Sequence, residues 1–221
     1  MKSIQKICMT LLVSPFIFSV SHALDLPETI DLKFTGPYGV PAKMHFSHDH
    51  KTFSIVTEVA IPFKNMRFSS KGLIKENELL PTEFRDYRGG ERYAYANYDY
   101  GNQTITYGKR DEVKTAKLLP QSKDFYTLAW QMAIDHGVME GVIQTTNGKK
   151  VYTRTPFVKI GTLDQRINRV SYQADHYQNG EGDDRIEVAL LPEKHFIPSL
   201  IVYYDKGKRY ELKLNDIDLE P

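Results

Sequence analysis

Along most of the chain, apolar and polar residues alternate in short runs that close on turn-forming residues, the pattern of antiparallel strands with one buried face. The runs are Ile30 to Gly36, Ala42 to Ser47, Thr52 to Ile61, Met66 to Ile74, Thr82 to Tyr87, Arg92 to Tyr98, Thr104 to Gly108, Gly141 to Thr146, Lys149 to Val158, Ile167 to His176, Arg185 to Leu190, Ile197 to Tyr204 and Arg209 to Leu214. The short pieces at Ala42 and Thr104 read equally well as loop, so about eleven strands are expected. Arg88-Gly89-Gly90, Asn147-Gly148 and Asp205-Lys206-Gly207 supply the positive φ that tight hairpins require, and Asn147-Gly148 is the strongest hairpin signal. Glu112 to Lys123 and Asn179 to Asp184 are polar and lack a period, which predicts loops.

One segment breaks the alternation. From Asp124 to Gly137 there is no helix breaker, Asp124 or Ser122 can cap the N-terminus, and Gly137 is the expected left-handed stop. Phe125, Leu128 and Met132 form one apolar stripe and Tyr126, Trp130 and Ile134 another, so the predicted helix, about 124–136, is apolar nearly all round and therefore buried on most sides. A strongly curved antiparallel sheet or open barrel with this helix on its concave face satisfies both signals. The expected class is mainly β.

The N-terminus predicts an address. Lys2 and Lys6 precede an apolar run from Ile7 to Val20, and Ser21-His22-Ala23 gives a small-x-small end, which together read as a secretory signal peptide cleaved after Ala23. The run is roughly fourteen residues, short of the about twenty that a spanning helix needs, and no later segment approaches that length. The expectation is a periplasmic protein whose mature form, residues 24–221, is one domain and does not span the membrane. Without the two leader lysines, 27 basic residues face 28 acidic ones, a formal charge of −1 that gives no electrostatic case for nucleic acid. The single cysteine, Cys8, lies in the leader, so no disulfide, thiolate nucleophile or cysteine-ligated metal is expected.

The order of several short motifs resembles a bacterial envelope family, domain of unknown function 3108. They are Phe68-Ser69-Ser70-Lys71-Gly72, Leu80-Pro81-Thr82-Glu83-Phe84 with Arg88-Gly89-Gly90, the run from Asp124 to Ala133, and Arg185 to Pro192 followed by Pro198 and Gly207. The chain departs from the family at Phe125-Tyr126-Thr127, where the family often reads Asp-x-Leu-Ser. The resemblance covers about Tyr38 to Leu219. It implies a β-rich envelope protein with no accepted activity and no catalytic residues to transfer, and a shape similar to the open barrels of lipoprotein carriers. That similarity is one of fold alone.

The candidate chemistry is sparse. His45, His48 and His50 are the densest set of metal-ligand types, but on a strand His45 points away from the other two, and a solvated hairpin turn at Asp49 explains the cluster more simply. Tyr87, Tyr93, Tyr95, Tyr98, Tyr100 and Tyr107, with Arg85, Arg88 and Arg92 among them, have the composition of a sugar- or base-stacking surface. Alternation divides these tyrosines between two faces and implies a bulge or strand end near Asn97, which favours ordinary sheet packing. Asp175 to Glu187 lacks oxygen ligands at the third and twelfth positions of a calcium loop. No Gly-x-Ser-x-Gly, Ser-x-x-Lys or His-Glu-x-x-His motif is present. The expectation is a non-catalytic envelope protein without a cofactor that holds a lipid or other apolar ligand against Phe125, Leu128, Trp130 and Met132, with Tyr93 and Tyr95 at the rim. The alternatives are that the helix residues are a plug filling the core, that the protein is an interaction module for an envelope partner, and, further off, that it is a metal-dependent hydrolase.

Overall fold

The computed structural model describes residues 24–219 except Phe63 and Lys206; the expected leader lies outside the described residues. Eight strands come first: β1 (Thr29–Thr35), β2 (Pro41–His48), β3 (Thr52–Val59), β4 (Met66–Lys75), β5 (Glu78–Arg88), β6 (Glu91–Asp99), β7 (Thr104–Lys109) and β8 (Lys114–Lys117). A short strand β9 (Ser122–Asp124) runs directly into α1 (Phe125–Ile134), followed by β10 (Ile143–Thr146) and β11 (Val151–Arg154). The chain ends with β12 (Val158–Ile167), β13 (Val170–Asn179), β14 (Ile186–Leu191), β15 (Ile197–Asp205) and β16 (Lys208–Leu219).

Thirteen of these strands form one antiparallel sheet in the order β12-β13-β14-β15-β16-β1-β2-β3-β4-β5-β6-β7-β8. It is a meander whose two halves are joined where β1 pairs with β16, and it does not close: among the described residues, no strand pairs with the outer edge of β12 or of β8. The expected eleven strands are therefore too few. Ala42 to Ser47 and Thr104 to Gly108 are full strands of the sheet, β8 and the start of β9 fall in the expected Glu112 to Lys123 loop, and β12 occupies a stretch where no strand was expected. Two tight turns carry no glycine: Glu76-Asn77 (φ 52°, 66°) and Asn168-Arg169 (φ 50°, 69°) turn the chain with two left-handed residues each, one of them an asparagine, which adopts that backbone more readily than its neighbour. β9, β10 and β11 form a second sheet in which β10 pairs antiparallel to β11 and parallel to β9, so the antiparallel expectation fails at the β9–β10 pair.

Five register shifts interrupt the large sheet, at Lys33/Phe34, Lys71/Gly72, Asp86/Tyr87, Lys159/Gly161 and Ala189/Leu190. Each adds local twist and bends the ladder. The inward residues, among them Ile30, Leu32 and Phe34 of β1, Met44 and Phe46 of β2 and Ile55 of β3, join the helix in one buried cluster. The Asn147-Gly148 hairpin forms, although its loop is four residues, with Asn147 Oδ1 accepting from the amides of Lys149 and Lys150. Gly148 (φ 77°) seats the loop tip on the large sheet, where an added Cβ would lie 2.9 Å from the Tyr95 amide nitrogen and 3.0 Å from the Phe84 ring.

The helix is capped at its N-terminus as its sequence predicts, and at its C-terminus it ends at Ile134, two residues short of the expected 136, with His136 (φ 50°) left-handed ahead of Gly137. The Asp124 carboxylate accepts from the amides of Tyr126 and Thr127, each at 3.1 Å, and from the Thr127 hydroxyl at 2.6 Å. At the other end, the Gly137 amide (φ 81°) reaches back to the Met132 carbonyl at 2.7 Å. Two buried polar side chains tie the helix region to the start of β5. Lys123 donates to the Leu79 carbonyl and to Glu78, while Gln131 Oε1 accepts from the Leu79 amide and its amide nitrogen donates to Asn77 and Asp135. Burial pushes the Lys123 ammonium below its ordinary pKa, and Glu78 offsets part of that shift. Among the described residues, no helix is long and apolar enough to cross a membrane.

Candidate functional site

A cavity of about 190 Å³ opens between the first turn of α1, the β10–β11 loop and the inner face of the large sheet. Val59, Met66, Phe68 and Phe84 line one side, Phe125 and Tyr126 come from the helix, and Ile201 and Leu212 close the far wall. The Phe68 and Tyr126 rings meet at a centroid distance of 5.2 Å, and Phe125 lies 5.7 Å from Tyr203, which stacks on Tyr210 at 5.0 Å. Asn147 and Lys149 of the hairpin loop and Tyr38 of the β1–β2 turn complete the rim. Tyr38 is 81% exposed and holds a left-handed backbone (φ 61°), a strained position for an aromatic residue.

The polar feature of the cavity is an ion pair on one strand. Asp86 and Arg88 are two apart on β5 and so share a face; Arg88 Nε lies 3.2 and 3.3 Å from the two Asp86 oxygens and Nη2 donates at 3.0 Å. Its guanidinium sits 3.6 Å from the centre of the Tyr93 ring. Asp86 is 2% exposed. Burial drives its carboxyl above the ordinary range, and the hydrogen bonds and charge of Arg88 hold that rise back. Burial likewise pushes the Tyr126 hydroxyl well above its usual pKa, helped by Tyr203 and Asp86, so Tyr126 stays a neutral phenol. Asp86 is thus buried while Arg88 reaches the cavity mouth, and such a pair adds little net stability compared with apolar packing.

The bulge between Asp86 and Tyr87 decides which tyrosine reaches the cavity. Asp86 pairs with Ala94 and Tyr87 with Arg92, leaving Tyr93 as the extra residue. Tyr93 thus joins Arg88 on the inner side, while Tyr95 stays on the other face, its hydroxyl donating to the Glu112 carbonyl and its ring lying near Arg85 and Arg92. The sequence placed such a break near Asn97; the strand is regular there, with Asn97 opposite Glu83 and Thr106.

Of the six expected ligand contacts, Phe125 and Tyr93 line the cavity and Tyr95 does not. Leu128, Trp130 and Met132 have no exposed surface and lie in the packed core. Trp130 stacks on Phe46 at 4.2 Å and donates its indole N–H to the Met44 sulfur at 3.3 Å. For these three the plug alternative describes the geometry. Asp86, Tyr203, Tyr210 and Lys149 were not among the expected contacts; the available signal was Asp86-x-Arg88 beside a Gly-Gly turn, two opposite charges on one strand face.

The three histidines do not converge. His48 is buried, its Nε2–H directed at the Leu26 carbonyl at 3.2 Å while Nδ1 accepts from the His50 amide. His50 faces Glu28 at 3.4 Å, and His45 pairs with Asp31 on the neighbouring strand at 3.0 Å. Asp49 makes the expected turn by accepting from the amides of Lys51 and Thr52. Among the described residues, no three histidine, cysteine or carboxylate side chains come together as a metal set.

No protein-family model matches the chain, and no curated protein does. Among solved structures, it is similar to a β-barrel-like protein of domain of unknown function DUF1849 from Brucella abortus, with a TM-score of 0.52 and 10% sequence identity over 90% of this chain and 100% of that one. At that identity the likeness is one of fold. It concerns a different family from the one whose motifs the sequence resembles, and what both have in common is a β-rich domain of unknown function.

Proposed function

We propose that the protein is an exported envelope protein of the domain of unknown function 3108 type that binds a small amphipathic molecule, without catalysis, in the cavity beside the first turn of α1. The observation that carries this reading is the cavity itself: an apolar lining, open at one side, with the Asp86–Arg88 pair and the neutral Tyr126 phenol to orient a polar end. Its volume of about 190 Å³ sets the ligand size. A lipid-sized ligand needs about 300 Å³ or more, whereas a cavity of roughly 150 Å³ accepts a benzene ring. The occupant is therefore a single ring, a short alkyl chain or the end of a longer molecule.

Native mass spectrometry of protein recovered from the periplasm, followed by denaturing analysis of extracted small molecules, tests the export and the ligand together. In solution, p-cresol serves as a one-ring probe with one hydroxyl. Wild-type protein is expected to bind it with shifts at Phe68 and Phe125, and Phe68→Trp, which fills the cavity, is expected to lose binding while keeping its fold. A clean apo mass together with no response to the probe would remove the reading.

A further inference from the structure

The large sheet ends on two edges of different character. β8 is four residues long and presents exposed Lys114 and Lys117, a common protection against strand addition. β12 is ten residues long, and Val158 to Thr162 are exposed on both faces. Val158 is 64% and Ile160 51% exposed, so an unpaired ladder coincides with exposed β-branched side chains. Such an edge is a template for another strand.

We infer that β12 is a self-association edge, pairing antiparallel with β12 of a second copy about a two-fold axis at Thr162. The argument rests on side-chain complementarity across that axis. A symmetric antiparallel pair sets residues on the same sheet face opposite each other, so the bulge matters: Lys159 pairs with Tyr177 and Gly161 with His176, and Ile160 is the extra residue. Skipping Ile160 puts Lys159, Thr162 and Asp164 on one face although Lys159 and Asp164 are five apart in sequence. The ion pair of Lys159 with Asp175, which lies opposite Thr162, agrees with that assignment.

With the axis at Thr162, the threonine meets its own copy, Lys159 meets Asp164 and Gly161 meets Leu163, each unlike pair occurring twice, while Gln165, in register with Val158, is already buried within its own protomer. Gly161 has open space where a Cβ would be, which leaves room for the opposing leucine. Lys159 keeps donors for a second carboxylate beyond Asp175. Shifting the axis to Leu163 sets Lys159 against Arg166, and shifting it to Gly161 removes the ion pair, so one register is preferred. A single edge strand is a small contact, and the association is accordingly weak and concentration-dependent.

Sedimentation equilibrium of the purified protein across a concentration series tests this, and it does so independently of any ligand. Wild-type protein is expected to show a monomer–dimer equilibrium. Lys159→Asp and Asp164→Lys each place like charges opposite one another at two positions and are expected to weaken the dimer about tenfold or more. An equimolar mixture of the two variants restores both ion pairs and is expected to dimerise like the wild type. The exposed positions allow both variants to fold, which circular dichroism checks. A monomer at every concentration, a dimer indifferent to both substitutions, or a mixture no tighter than its components would each overturn the inference.

Discussion

Replacing Trp130 tests the packing of helix on sheet at its densest point. The indole has no exposed surface, lies nearly parallel to Phe46 (20° between planes) and donates only to a thioether sulfur. Trp130→Ala therefore leaves no strong acceptor unpaired, and its cost is lost packing. The substitution removes on the order of 140 Å³ of side chain, and partial collapse leaves a void that costs ~24 cal/mol per Å³ in addition to the lost transfer energy, giving about 3 to 5 kcal/mol in all. For a chain of this length that corresponds to a fall in melting temperature of about 6 to 20 °C. Trp130 is the only tryptophan, so wild type and variant are compared by far-ultraviolet circular dichroism in urea, not by fluorescence. Phe125→Ala, at the cavity wall, is expected to cost about 1 to 2 kcal/mol because its ring is only half-buried. A Trp130→Ala curve with unchanged midpoint and slope would refute the packed-helix reasoning outright.

Burial raises the Asp124 carboxyl above its ordinary pKa, against hydrogen bonds led by Thr127 that lower it. A raised folded pKa gives stability that is fully present below the unfolded value near 4 and is lost as pH rises through the folded one. Asp124→Asn keeps a good helix cap but cannot titrate, so urea midpoints at pH 7 and pH 5 should show less gain on acidification in the variant than in the wild type. Equal pH dependence in the two would show that Asp124 does not contribute. Gly148→Ala combines a positive φ with a Cβ pressed on Tyr95 and Phe84, and calorimetry should show a loss of more than about 1 kcal/mol together with weaker p-cresol binding as the loop lifts from the cavity rim.

What the sequence makes legible depends on whether a signal is local. The Asp124 cap and the left-handed Gly137 are properties of a few neighbouring residues and are found where the pattern puts them, whereas β12 (Val158–Ile167) has no counterpart among the expected runs. Strand number is less legible, because the Glu76-Asn77 and Asn168-Arg169 turns contain one asparagine each and no glycine, a weaker signal than Asn-Gly, and because β8 and β9 are held by partners distant in sequence, such as Gln144, which donates to the Lys117 carbonyl and accepts from the Leu119 amide. The cavity is less legible still. Helix periodicity identifies Leu128, Trp130 and Met132 as apolar, but periodicity cannot distinguish a side chain that fills a core from one that borders a space, since both are apolar and inward.

The bulge at Tyr93 shows why. One extra residue moves that ring to Arg88 and leaves Tyr95, two positions away, outside the site. The same device at Ile160 brings Lys159 and Asp164 to one face of the free edge. Both effects turn on a change of parity that strict alternation hides, and in each case a single inserted residue determines which side chains meet. The features of this fold that bear on binding are thus concentrated at its irregularities, and deleting Ile160 offers a direct check of that argument. The deletion restores regular alternation, returns Lys159 and Asp164 to opposite faces, and is expected to abolish dimerisation in sedimentation equilibrium while leaving p-cresol binding at the distant cavity unchanged. Dimerisation that survives the deletion would mean that the bulge does not set the register.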